Sequence, residues 1–228
     1  MSKDTLFLFD IDGTLLTSGG AGEKALRLAM QDHFHIDEDL SGVEIAGRTD
    51  SGIARQLFQK HHIEPTPGIM SAFHDAYLHR LAQQLPATSG RLLPGILDLL
   101  DALKSKPTVS LALLTGNLSR GAKLKLTHYG VWHYFEFGAY ADDHHIRNEL
   151  GPVAAARARE KHGVEFESAR VFVLGDTPHD IDCGRAFGAK TVAIATGRHT
   201  RAELAAHRPD FLFDDLTDTQ GVLAALGV

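Results

Sequence analysis

Four near-continuous apolar runs constrain this chain more than any other feature: Thr5–Phe9, Val109–Leu114, Val171–Leu174 and Thr191–Ala195. Each is bounded by glycine or polar turn residues and reads as a buried strand. An unbroken apolar strand needs cover on both faces, which is the habit of parallel sheets. Stretches of helical period at 96–104, 118–128, 149–162, 178–187 and 201–207 lie between most of them. This alternation predicts an α/β fold: a Rossmann-like parallel sheet with helices on both faces. Weaker strand candidates stand at 134–138 and 211–213.

The stretch 17–91 breaks the pattern. It holds no convincing strand, and Ala25, Leu26, Leu28 and Ala29, then Ile53, Leu57 and Phe58, then Phe73, Tyr77, Leu78 and Leu81 each mark one helix face. We therefore expect a core from residues 1–16 and 92–228, with an inserted α-helical cap domain at 17–91. The junctions fall at 17–22 and 88–94, and Gly19, Gly20 and Gly22 supply a hinge.

A chain of 228 residues can bury a core without disulfides or a structural metal. Its net charge of −6 argues against a general nucleic-acid binder or a polybasic membrane binder. No apolar run approaches a membrane span, and Asp10 and Asp12 interrupt the apolar start, so a signal peptide is not expected. The lone Cys183 precludes an internal disulfide and fits a reducing, cytoplasmic setting. A monomer or homodimer is expected.

The chemistry gathers where strands end. The first run leads into Asp10-Ile11-Asp12-Gly13-Thr14, placing two carboxylates at a strand's carboxyl end, where open α/β sheets bind ligands. Their repulsion calls for compensation, and a divalent cation with oxygen ligands provides it. The third run leads into Gly175-Asp176-Thr177-Pro178-His179-Asp180, where the acids four apart can meet across a strand-to-helix turn. The second ends in Thr115-Gly116-Asn117, a turn whose N–H groups and hydroxyl suit phosphate. Taken alone, Asn117 reads as a helix cap. His179 and Cys183 read as structural, and Trp132, Tyr134 and Phe135 as core.

Together these segments resemble the haloacid dehalogenase-like superfamily. Its first motif matches Asp10 to Thr14, its second Thr115, and its fourth Gly175, Asp176 and Asp180. The helical insertion is similar to the subfamily I cap, in the style of phosphoglycolate phosphatase-like enzymes. The third motif departs from the pattern, because no lysine occurs from Leu126 to Glu160. Arg147 stands where that lysine is expected and can bind phosphate bidentately; Lys125 is the alternative.

The resemblance implies an Mg²⁺-dependent phosphatase acting on a small phosphate monoester through an aspartyl-phosphate. Asp10 would be the nucleophile and Asp12 the acid and then the base. Asp10, the Asp12 carbonyl and Asp176 would hold the metal, with Asp180 orienting them. Thr115, Gly116, Asn117 and Arg147 would hold the phosphate. Gly47-Arg48-Thr49-Asp50 is similar to the cap loop that reaches substrate, giving Arg48 the non-reacting end. The dehalogenase branch lacks the second aspartate, so Asp12 argues against it. Two alternatives stay open: a phosphomutase of the β-phosphoglucomutase type, which the absence of a hinge histidine disfavours, and a non-catalytic phospho-ligand binder.

Overall fold

The computed structural model describes residues 3–228; residues 1 and 2 of the expected core segment lie outside them. The chain runs through β1 (Thr5–Phe9), β2 (Leu16–Thr17), α1 (Ala21–Phe34), α2 (Asp50–Lys60), α3 (Pro67–Gln84), β3 (Arg91–Leu92) and α4 (Ile96–Lys104). It continues with β4 (Val109–Leu114), α5 (Ser119–His128), β5 (Gly138–Ala139), α6 (Leu150–His162), β6 (Val171–Gly175) and α7 (Pro178–Ala186). The last elements are β7 (Lys190–Ile194), α8 (Arg201–Ala206), β8 (Phe211–Phe213) and α9 (Thr219–Leu226).

Six strands form one parallel sheet in the order β5-β4-β1-β6-β7-β8. The expected Rossmann-like α/β architecture is what the chain builds. Successive side chains of β1 serve opposite faces. Phe7 and Phe9 pack with Ile96, Leu99 and Leu100 of α4 and Leu126 of α5, whereas Leu6 and Leu8 pack with Leu150 and Ala154 of α6 and Cys183 of α7. This two-sided burial is why β1 carries no polar residue between Leu6 and Phe9. The chain winds from β1 to β4 and β5 on one side, then returns to β6, β7 and β8 on the other. The reversal lies at the central strands, and their carboxyl ends open a crevice there.

Helices α1, α2 and α3 lie between β2 and β3 and bury a separate apolar cluster. It includes Leu26 and Met30 of α1, Leu57 and Phe58 of α2, and Phe73, Tyr77 and Leu81 of α3. Thr49 caps α2 by accepting from the Gly52 N–H at 2.9 Å. Thr66 does the same for α3, with Pro67 opening that helix. Among the described residues no helix is long and apolar enough to cross a membrane.

Several local expectations need correction. The stretch 17–91, expected to hold no strand, is bounded by two: β2 and β3 pair antiparallel, Leu16 with Leu92 and Thr17 with Arg91, a ribbon too short to leave a periodic signal. Gly19 and Gly20 adopt positive φ, but Gly22 lies inside α1. The strand expected at 134–138 is a 3-10 turn at Trp132–Tyr134 followed by β5 alone. Its aromatic residues are apolar because they fill the core, as where Phe135 meets Phe9 edge-on at 5.8 Å. The helix α9 was not anticipated.

Phe7 is fully buried and stacks on Phe172 at 4.9 Å between centroids. Phe7→Ala is therefore expected to cost about 3–5 kcal/mol in a urea denaturation measurement, from lost transfer energy and the cavity left behind.

Candidate active site

β4, β1 and β6 are neighbours, so Thr115, Asp10 and Asp176, each one residue past its strand, converge at one edge of the sheet. The Asp10 N–H donates to the Leu174 carbonyl at 2.9 Å, carrying the parallel register one residue beyond the strand. One oxygen each from Asp10, Asp176 and Asp180 lies within 4.8 Å of the others, and all three side chains are buried. Gly13 lets the loop pass over this cluster: its φ is +83°, and a Cβ there would sit 2.2 Å from Asp176 Oδ2.

Such a cluster is electrostatically costly. Burial pushes the Asp10 carboxyl up to about 6, Arg147 opposes the shift, and Asp180 and Asp12 add to it. Asp176 is driven well above the usual carboxylate range by burial and then by Asp180 and Asp10. Arg147 is the internal counter-charge, with its guanidinium 3.1 Å from Asp10 and paired with Asp180. Burial works against its charge, but Asp180 and Asp10 outweigh that and hold it protonated. Its Nε–H is buried and has no partner among the described residues, which leaves one donor beside the cavity. Asp180 is engaged on both oxygens: Oδ1 accepts from Arg147, and Oδ2 accepts from the Thr177 N–H at 3.0 Å and the Thr177 hydroxyl at 2.7 Å.

Asp12 behaves differently from Asp10. Its carboxylate turns away from the cluster and accepts from Lys125 Nζ at 2.5 Å and Asn117 Nδ2 at 2.9 Å. Its side chain is 41% exposed to the cavity, against 7% for Asp10. Asn117 is no helix cap: its amide also donates to Thr115 Oγ1 at 3.0 Å, and its carbonyl accepts from Lys125 at 2.6 Å. The two candidate third-motif cations thus divide, with Arg147 on Asp10 and Asp180 and Lys125 on Asp12 and Asn117.

A cavity of about 370 Å³ is lined by Asp10, Asp12, Gly116, Asn117, Arg147 and Asp176 from the sheet side and by Arg48 from the insertion. Thr115 and Asp180 are buried immediately behind it. Arg48 is half exposed at the cavity, 2.5 Å from Glu44, and Glu44 also meets His179 at 3.1 Å. His179 therefore joins the insertion to α7 instead of touching the acidic cluster. Cys183 is fully buried, and burial pushes its thiol up to about 11, which leaves it inert at neutral pH.

Sequence reasoning named Asp50 only as part of the Gly47-Arg48-Thr49-Asp50 loop, without a role of its own, and missed Tyr77 and the loop Thr196-Gly197-Arg198; all of them line the cavity. Burial pushes Asp50 up to about 6, with Lys125 pulling it back. A single acid at a helix start carries no signal of burial, because first-turn acids are common on exposed helices. Arg198 pairs with Glu23 of α1 at the cavity mouth.

Three buried carboxylates at the crevice of a parallel sheet, with Arg147 among them, form a group that could hold a divalent cation. A family model described as haloacid dehalogenase-like hydrolase matches residues 7–194, and the chain belongs to that family. It is 25% identical over 226 residues to a protein named probable phosphatase IndB from Dickeya dadantii, covering 97% of this chain and 94% of that one. It is also 25% identical over 226 residues to a phosphoglycolate phosphatase from Aliivibrio fischeri, covering 96% of each. Among solved structures, CbbY from Rhodobacter sphaeroides in complex with phosphate has a TM-score of 0.76 at 20% identity, with full coverage of both chains. A β-phosphoglucomutase from Clostridium difficile has a TM-score of 0.74 at 16% identity, covering 98% of this chain and 97% of that one. These two likenesses show the fold alone.

The raised carboxyls of Asp10 and Asp176 have a thermodynamic consequence. A group whose folded pKa is raised stabilises the fold below its unfolded pKa, and that contribution is lost as pH rises through the folded value, here about 6 for Asp10. A divalent cation relieves the repulsion only where the acids are ionised. Mg²⁺ is therefore expected to raise Tm by more at about pH 7.5 than at about pH 5, measured by scanning fluorimetry against EDTA. An increment independent of pH would contradict this account of the cluster.

Proposed function

We propose that the chain is an Mg²⁺-dependent phosphatase of a small phosphate monoester, phosphoglycolate-like or a sugar phosphate, working through an aspartyl-phosphate on Asp10. The observation that carries this reading is the division of labour between the two acids of Asp-x-Asp. Asp10 is buried in the acidic cluster against Arg147, whereas Asp12 faces the cavity and is held by Lys125 and Asn117. In this reading the first meets phosphorus and the second meets the leaving oxygen.

The donor set of Asp10, Asp176 and Asp180 fits a hard divalent cation. Asp10, Asp176 and the Asp12 backbone carbonyl would hold Mg²⁺, and Asp180, committed to Arg147 and Thr177, would orient them. When bound, the ion supplies the positive charge that offsets repulsion between a carboxylate nucleophile and an anionic phosphate. An Asp10 oxygen then forms a bond to phosphorus as the bond to the ester oxygen breaks, and Asp12 gives that oxygen its proton. Asp12 next takes a proton from a water whose oxygen bonds to phosphorus, and the Asp10–phosphorus bond breaks to release phosphate. Each step returns Asp12 to the state that the other step needs. Thr115, the N–H groups of Gly116 and Asn117, and Arg147 would hold the phosphate oxygens, each donor contributing roughly 3–4 kcal/mol to the transition state.

Residues 17–91 act in this reading as a cap that closes the cavity against water and restricts it to small substrates. The relatives named as phosphatases support the reaction, and the lone buried thiol is consistent with a cytoplasmic enzyme. The loop that leads into α1 bears no histidine, which keeps a mutase reading second.

A panel of phosphate monoesters assayed with Mg²⁺ tests the reading. Asp10→Asn is expected to abolish turnover, as is complete removal of divalent metal by EDTA, and full activity in either case would overturn it. Arg48→Ala is expected to lower kcat/KM by roughly tenfold or more for an ester with a second anionic group, while a plain aryl phosphate loses little. Steady-state kinetics on the two esters measures the difference.

A further inference from the structure

The N-terminus of α2 enters the site in a way that the reaction just described does not use. The Asp50 N–H donates to the Gly116 carbonyl at 2.6 Å, and Asp50 Oδ2 accepts from the Leu118 N–H at 2.8 Å. These two bonds bracket Asn117, whose side chain holds both Asp12 and Thr115. Gly116 leaves no room between the segments, since a Cβ there would lie 2.2 Å from the Arg48 carbonyl oxygen. The flanking residues stitch the same helix end to other core loops: Thr49 Oγ1 donates to the His145 carbonyl at 2.6 Å and Ser51 Oγ to the Ala141 carbonyl at 2.9 Å. Asp50, Lys125 and Tyr77 are buried together, with the Tyr77 hydroxyl facing Asp50.

We propose that Asp50 is a positioning residue for the acid–base group, a clamp from the insertion that sets the Gly116–Leu118 turn so that Asn117 and Lys125 hold the Asp12 carboxylate toward the leaving oxygen. The inference rests on the phosphatase reading. Leu118 opens α5 without a side-chain cap of its own, and two acids from elsewhere take up its first N–H groups, Asp50 that of Leu118 and Asp142 that of Ser119. The clamp exists only while α2 is seated on the sheet edge. Proton donation is thereby tied to a covered cavity, and a phosphate ester is not committed to cleavage while water has free access.

The test separates orientation of the acid from general damage. An alkyl phosphate needs a proton on its leaving oxygen, whereas 4-nitrophenyl phosphate has a leaving group that departs without one. Asp50→Ala is expected to lower kcat/KM for the alkyl ester roughly tenfold to hundredfold and for 4-nitrophenyl phosphate several-fold less. Asp50→Asn, which keeps an oxygen facing the Leu118 N–H, is expected to recover most of the loss. Equal losses on both esters, no loss, or no recovery in Asp50→Asn would overturn the proposal. No turnover of either ester by the unaltered chain would overturn the phosphatase reading and this inference together. Turnover by the unaltered chain with an ester ratio that the variants leave unchanged would overturn this inference alone.

Discussion

Repulsion among Asp10, Asp176 and Asp180 is the constraint around which this molecule is arranged. Three carboxylates within 4.8 Å and out of water would not hold together unaided. Arg147 meets two of them, and the Thr177 N–H and hydroxyl take up the second oxygen of Asp180. Even so, Asp10 and Asp176 remain above the ordinary carboxylate range. The buried cluster fits a metal site, and a divalent cation bound there would relieve that repulsion.

The parallel sheet makes that density of charge tolerable. Its central strands are apolar on both faces, and Phe7, Leu8 and their neighbours pack so completely that the ends of β1, β4 and β6 have little freedom to spread. The acids are held by backbone register instead of by their own attraction. The helices that follow β4 and β6 start at the same edge, where N–H groups without intrahelical partners favour anionic ligands.

The insertion adds a second set of contacts, of a different kind. Its apolar cluster is self-contained apart from contributions such as Leu118 and Ala141 from the core. Its polar contacts include those to the turns around Gly116, Ala141, His145 and His179 and the pairs of Glu23 with Arg198 and Asp75 with Arg120. Helix α3 also packs on α5, where Leu78 and Leu81 lie beside Gly121, so the insertion meets the core through apolar as well as polar contacts.

The sheet, its order of strands and helices, and the acids at its edge were legible from apolar runs ending in Asp10, Thr115 and Asp176, because burial on both faces and chemistry at strand ends each leave a local pattern. The third-motif cation was only half legible. The sequence offered Arg147 and Lys125 as competitors, and the folded chain gives each its own partners. Asp50 was legible only as the last residue of a loop similar to one that reaches substrate, not as a buried contact of the 116–118 turn, and the β2–β3 ribbon left no trace. An acid at a helix start looks the same whether it meets water or the backbone of a loop 66 residues away, and a two-residue strand has no period. What the sequence by itself determined is which residues must be buried or charged within a few positions of each other. Which distant loops those residues meet was decided only by tertiary structure, since the bonds of Asp50 to Gly116 and Leu118 depend on where a helix of the insertion comes to rest on the sheet.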